Sequence, residues 1–465
     1  MMPKIPQAPK SSTLGSWKEM QTRFITATGT ASLLLLILFL ANMCYLYGTQ
    51  FHNSHRVHNM KMLYVDYDGG VVGQAVSEAY QALKADDFPT LHTMSSGQYS
   101  TPKDVRGAVC SGDYWAAIYA APDASTSLAA SLANGTASNG SALTYIWNGA
   151  RYPAFAQSEI YSNILIMVQA ARSAYYTSHV SNVVAAANLS NPVAFQALLD
   201  PIQASEINIK PTTQGPRVLY NTVSLVMPII QQFFFMMALN GISSEFQVFT
   251  KLSTTTNGLI RMVTSIVYTF LGALCMAGYI WAFKQSWDVN GNQFVLTWMI
   301  TWLFMHINFL IVDFLTAFVP MQFMPFCVLT WVIMNVASSI SPFELSPGFF
   351  RWGYALPAHE VYQVLVQIWS DGCQDQSYRA LPILFSWWIV ALSAAIYATR
   401  HRCKVAVKAH NALKELENKS DASLRPSSSS AGLWTRQRRD TIESIRLENM
   451  AYGPSYPTPG AHSEE

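Results

Sequence analysis

Charge is scarce in this chain. Asp, Glu, Lys and Arg make up 12% of its 465 residues, about half the share usual in soluble domains. The net charge of +2 excludes nucleic-acid binding driven by a basic field. No Gly-x4-Gly-Lys-Ser/Thr loop is present to cradle phosphates, so the chain does not supply its own nucleotide-binding half. Signatures of the Gly-x-Ser-x-Gly, His-Glu-x-x-His and Cys-x-x-Cys types are also missing. No catalytic residue, cofactor or metal is therefore assigned, and the chain is not expected to be an enzyme. Six cysteines are too few for a dense disulfide framework.

Apolar residues fill the space that charge leaves. They make up 51% of the chain and gather in long runs. Residues 24–51 carry no charge and centre on Ser-Leu-Leu-Leu-Leu-Ile-Leu-Phe-Leu at 32–40. About 20 apolar residues cross a bilayer as a helix. Further uncharged runs lie at 218–244, 262–283, 289–312, 314–343 and 380–399. The expected fold is a polytopic α-helical membrane protein of about six spans, with a mixed α/β extracytoplasmic domain between spans 1 and 2. The expected boundaries are a cytosolic tail at 1–26, span 1 at 27–48, the outer domain at 49–217, a five-span membrane domain at 218–399 and a disordered cytosolic tail at 400–465.

Basic residues set the orientation. Lys4, Lys10, Lys18 and Arg23 precede the first run, Lys251 and Arg261 follow the second, and Arg400, Arg402, Lys404 and Lys408 follow the last. Basic flanks stay cytosolic, which places both termini inside. The first run is longer than a signal-peptide core and has no clear small-x-small cleavage site, so a retained anchor is expected.

In the outer domain, residues 62–67 are strand-like and Asp68-Gly-Gly70 marks a turn. Val72, Ala75, Val76, Ala79 and Leu83 follow the helical period. Strands are expected at 114–120 and 142–147, a long helix after Pro153, and a proline-rich return to the membrane over 188–217. Asn134, Asn139 and Asn188 stand in glycosylation triplets. Cys44, Cys275 and Cys327 fall in spans and Cys403 on the cytosolic side. Cys110 and Cys373 are then the two that an oxidising compartment could bridge.

Ionisable and polar groups inside spans are the candidate functional residues. His306 and Asp313 lie seven residues apart in the fourth span, on one helical face and about 10 Å apart along the axis. They suit either a proton relay or interhelical hydrogen bonding, with Asp313 near enough to the cytosolic end to reach water. Gln231 and Gln232 suit packing or substrate contact. Thr269, Ala273 and Ala277, with Gly272 and Gly278 beside them, form a small-residue seam. The segment near 342–372, with Arg351 and Glu360, is broken by prolines and charges. An amphipathic or re-entrant helix is expected there, serving as a contact surface for substrate or lipid or as a plug. His52, His55 and His58 lack a nearby carboxylate or Cys and read as solvated histidines.

The chain also carries Val65-Asp-Tyr-Asp-Gly-Gly-Val-Val-Gly73, then 105–125 around Cys-Ser-Gly-Asp-Tyr-Trp-Ala-Ala-Ile-Tyr-Ala-Ala-Pro-Asp, then Tyr161-Ser-Asn163 and Phe350-Arg-Trp-Gly-Tyr-Ala-Leu-Pro-Ala358. In this order, between these spans, the motifs resemble the fungal nitrosoguanidine-resistance membrane proteins. They are more distantly similar to bacterial phage-infection proteins and to the membrane domains of ABC-2-type exporters. The resemblance runs from about residue 25 to 400. It implies resistance to toxic compounds, by export of small amphiphiles or by modulation of membrane lipid asymmetry. Its implied partners are membrane lipids, small amphiphilic molecules, a homo-oligomer or a separate ATPase. The plasma membrane is the expected location, with another secretory-pathway membrane as the alternative. A non-transporting scaffold or regulator whose outer domain binds a partner is the competing expectation.

Overall fold

The computed structural model describes residues 14–136, 140–188 and 190–423. Asn139 and the polar tail beyond 423 lie outside the described residues.

Helix α1 (Leu14–Thr49) leads into a five-stranded sheet in the order β2-β1-β3-β4-β5. Its strands are β1 (Lys61–Asp66), β2 (Thr90–Met94), β3 (Ala116–Ala120), β4 (Leu143–Trp147) and β5 (Ala204–Asn208). β1 is parallel to β2 and β3, β4 is antiparallel to β3, and β5 is parallel to β4. β1 is central and buried on both faces, as its nearly unbroken apolar run requires. Leu63 and Val65 pack with Val105 and Val109 of α3 (Pro102–Ser111). Met62 and Tyr64 face the layer built from α2 (Val71–Leu83), α4 (Ala124–Asn134) and α5 (Ser162–Ala186).

The turn after β1 depends on glycine. Gly69 takes a left-handed φ of +62°. A Cβ on Gly73 would lie 2.0 Å from Asp66 Oδ2, so α2 packs onto the strand end only without a side chain there. The aspartates of this turn bond locally. Asp66 Oδ1 accepts from the backbone N–H groups of Asp68 and Gly69, and Asp68 Oδ1 accepts from Ser125 N at 2.7 Å. The stretch 188–217 is more ordered than its prolines suggest. It forms α6 (Pro192–Leu199), capped by Asn191, and the edge strand β5.

The membrane part contains α7 (Val223–Glu245), α8 (Thr254–Ala282), α9 (Gly291–Phe318), α10 (Met324–Ser339), a short α11 (Pro357–Trp369) and α12 (Ser377–Ser423). Among the described residues, six helices are long and apolar enough to cross a membrane: Gln21–Thr49, Val223–Glu245, Thr254–Ala282, Gly291–Phe318, Met321–Ser339 and Ser377–Glu415. The protein is an integral, multi-pass membrane protein. α9 is the central helix and packs on α7, α8, α11 and α12, whereas α1 packs at the edge on α10. The seam of Thr269, Gly272, Ala273 and Ala277 is buried where α8 meets α9. A Cβ on Gly272 would come within 2.7 Å of Met305 Cε.

Several expectations change. Asp313 interrupts the apolar run but not its helix: the fourth span continues to Phe318, as its placement in that span requires, and the fifth begins at Met321. Residues 14–26 and 400–423 are helical, so neither expected tail begins where its first charges do. Arg261 lies within α8 and Arg402 within α12; neither stands in a loop or a solvated flank.

The segment near 342–372 is not an amphipathic surface helix. In α11, Ala358, Glu360, Val361, Tyr362, Leu365 and Val366 are all buried, because the polar face that hydropathy exposes is covered by the sheet domain and by neighbouring helices. Tyr152 N donates to Tyr362 Oη at 3.0 Å, and Gln363 Nε2 donates to Tyr152 Oη. Gln374 Nε2 donates to Gln363 Oε1, and Asn148 Nδ2 donates to Ser370 Oγ. Cys110 of α3 and Cys373 are joined in a disulfide. α11 is therefore a buried helix tied to the sheet domain by these hydrogen bonds and, just beyond its end, by the disulfide.

Candidate functional site

At the end of the bundle away from the sheet, three charges converge inside the protein. Asp313 Oδ1 accepts from Arg261 Nη2 and from Arg402 Nη1, the latter at 3.0 Å. Arg402 Nη2 also donates to Asp313 O and Thr316 Oγ1, and Arg261 Nη2 to Asn240 Oδ1. Both guanidinium groups lie over the Phe249 ring, at 5.8 and 5.6 Å. The side chains of all three are at most 6% exposed. Asp313 is thus held by interhelical hydrogen bonds, with its side chain 4% exposed. Two guanidinium groups against one carboxylate leave a net +1 in a site where unpaired charge is costly.

Arg261 and Arg402 were visible only as flanking positive charge. The available signal was Asp313 itself, since a carboxylate within a span requires a cationic partner. Bases near the same end of other spans were the candidates.

His306 lies on the same α9 face but does not touch this cluster. Its Nδ1 accepts from Trp388 Nε1 at 2.9 Å, which leaves the ring proton on Nε2, 3.2 Å from Ser265 Oγ. Ser265 donates onward to Met262 O. Both imidazole nitrogens are thus engaged in a neutral tautomer. Gln232 is fully buried with no hydrogen-bond partner on either amide atom, while Gln231 is half-buried beside Gly272.

Next to the charge cluster, a cavity of about 240 Å³ opens between α8, α9 and α12. Arg261, Asp313 and Arg400 line one part; Met262, Phe309, Leu392 and Ile396 line another. The cavity therefore joins a polar end to an apolar trough.

At the sheet end, Glu360 pairs with Arg379 at 3.3 Å and not with Arg351, which is exposed. α11 lies outside the six spans. There, burial outweighs the Arg379 charge and pushes the Glu360 carboxyl up to about 7. Burial lowers His359 to about 3, so its ring stays neutral. Arg151 stacks 3.7 Å over Trp115 and faces Glu344, and Lys210 pairs with Asp371. Asn134 and Asn188 are both exposed on the sheet domain. The rings of His52 and His55 meet edge to face, and His58 lies beside Asp86. Among the described residues no group of three or more His, Cys, Asp or Glu could hold a metal ion.

A family model described as "Protein of unknown function (DUF3533)" matches residues 31–393, from the first span into the last. The chain belongs to the DUF3533 family. The match takes in the sheet domain and most of the bundle, including Arg261 and Asp313, and ends before Arg400 and Arg402. A Saccharomyces cerevisiae protein described as an uncharacterized endoplasmic reticulum membrane protein is 24% identical over 421 residues, which cover 82% of this chain and 80% of its own length. No solved structure matches this DUF3533 chain.

Proposed function

We propose that this DUF3533 protein binds amphiphiles in the inner leaflet and moves or redistributes them, in an ABC-2-like arrangement that supports resistance to toxic compounds. The observation that carries this reading is the asymmetry of the bundle. At the sheet end α11 and the bolted α/β domain fill the space. At the other end a cavity joins cationic to apolar lining between α8 and α12, helices whose outer faces carry exposed Val263, Ile266, Ile389 and Val390. A ligand entering sideways from the lipid would meet both kinds of surface. Lys251, Arg400, Lys404 and Lys408 at this end support a cytosolic position for it, with the sheet domain on the extracytoplasmic side.

Any active movement draws on an ion gradient or on a separate ATPase, because the chain carries no phosphate loop. The name of the yeast relative favours an endoplasmic reticulum membrane over the plasma membrane expected from the resemblance. The test is reconstitution of purified protein into liposomes loaded with a fluorescent anionic amphiphilic dye or a fluorescent lipid, with and without a proton gradient. Movement above that of protein-free liposomes supports the reading. No movement of either probe under any gradient replaces it with the scaffold reading, in which the rigidly mounted sheet domain binds a partner.

A further inference from the structure

We infer that the cavity between α8, α9 and α12 is a binding site for an anionic phospholipid of the cytosolic leaflet, with the phosphate held at Arg261 and Arg400 and an acyl chain in the apolar trough. The inference rests on the amphiphile reading above and narrows it to one class of ligand.

Charge is the first observation. Arg261 and Arg400 line the cavity against Asp313 alone. Asp313 is already shared with Arg402, so the three arginines and one aspartate sum to +2. The second observation is unmet hydrogen bonding. Arg261, which lines the cavity, is 95% buried, and its Nε and Nη1 have no hydrogen-bond partner within the protein. Buried donors of this kind are normally satisfied. A guanidinium with free N–H groups suits the paired oxygens of a phosphate.

The third observation is the helix end. α8 starts at Thr254, with Ser253 capping Thr256 N. Thr254, Thr255 and Gly258 of its first turns also line the cavity. The positive end of the helix dipole thus points at the same place as Arg261. Gly258 leaves room there, since no atom lies within 4 Å of where its Cβ would be.

The rest of the lining suits a hydrocarbon chain. Phe309 and Leu310 of α9 form the wall, with Leu392 and Ile396 of α12 on the other side. Around the lip, Leu259, Val263 and Tyr397 are exposed, as lipid-facing residues are. A free phosphate would use only the cationic end, and a zwitterionic lipid brings an ammonium that offsets its phosphate beside the arginines. A lipid with a net negative headgroup uses both the cationic end and the trough.

The experiment uses the purified full-length protein after detergent removal of endogenous lipid. Thermal unfolding is followed while phosphatidylserine, phosphatidylcholine or inorganic phosphate is added, and lipid retained on the protein is counted by native mass spectrometry. Phosphatidylserine is expected to bind and raise the unfolding temperature by mass action, with phosphatidylcholine weaker and inorganic phosphate without effect. Arg400→Gln removes an exposed charge and is expected to weaken phosphatidylserine binding about fivefold. Gly258→Leu is expected to fill the cavity and remove binding while the lipid-free protein unfolds as before.

Equal binding of phosphatidylserine to wild type and both variants would overturn the assignment. So would stabilisation by inorganic phosphate equal to that by the lipid. These readouts need no transport. Bound lipid in a protein that moves nothing in liposomes would sink the proposed function and leave this site standing.

Discussion

Asp313→Asn separates a static charge cluster from a proton relay. In the wild type one carboxylate oxygen accepts from two guanidinium groups, both almost fully buried. The amide keeps the volume and one acceptor but no charge, so the site goes from a net +1 to +2. Breaking a buried ion pair from one side costs about 3–5 kcal/mol, because the partner stays buried and unpaired. The retained amide carbonyl can still accept one hydrogen bond, which puts the expected loss near 3 kcal/mol. In a bundle of this size that is a fall of about 6–12 °C in unfolding temperature.

The assay is thermal unfolding of the detergent-purified protein by tryptophan fluorescence, run beside Arg402→Met and the double variant. The double variant restores the wild-type charge sum and should recover much of the loss, a coupling that distant sites do not show. An Asp313→Asn protein that unfolds at the wild-type temperature would refute the cluster as a structural element. If gradient-driven efflux were then also lost, Asp313 would be a proton carrier.

Glu360→Gln tests the buried carboxyl of α11. Its folded-state value of about 7 stands above the ordinary 4.5, so the native state resists ionisation. Wild-type stability relative to the variant should fall as pH rises from 4.5 to about 7 and level off above; a difference independent of pH would contradict it. Cys373→Ser removes a crosslink that spans 263 residues. Chain entropy alone sets an upper figure of about 5.6 kcal/mol. The measured loss should be smaller, because spans held in a bilayer restrict the unfolded chain, and non-reducing digestion of wild type should yield one linked peptide pair. For topology, protease added to the extracytoplasmic side should cut within 49–217 and spare residues beyond 423, and Asn134 and Asn188 should carry glycans. Cleavage of the tail from that side would reverse the orientation.

The elements that could be read from the sequence were those whose pattern is local. The six spans announce themselves by uncharged length, and β1 with α2 by an apolar run, Asp-Gly-Gly and a helical period. β2 and β5 did not, since Thr-Leu-His-Thr-Met and Ala-Ser-Glu-Ile-Asn carry little hydrophobic contrast and owe their strand form to pairing with β1 and β4. The same holds at the candidate site. Asp313 stood out because a carboxylate in a span is rare, but its partners come from helices 52 and 89 residues away. Glu360 had looked like the solvated side of an amphipathic helix. Arg379 of α12 and the sheet domain, which no periodicity places, turn that side inward.

The Cys110–Cys373 bond also carries timing. With the sheet domain outside the cytosol, Cys110 emerges early and Cys373 only after four more spans have been made. At about 5–20 residues per second, the sequence separation of 263 takes about 13–53 s to synthesise. For that interval the new domain displays an unpaired thiol to the folding machinery of its compartment. Closure of the bond certifies that the last outer loop has arrived, so a chain stalled or misinserted before span 6 stays chemically marked as unfinished.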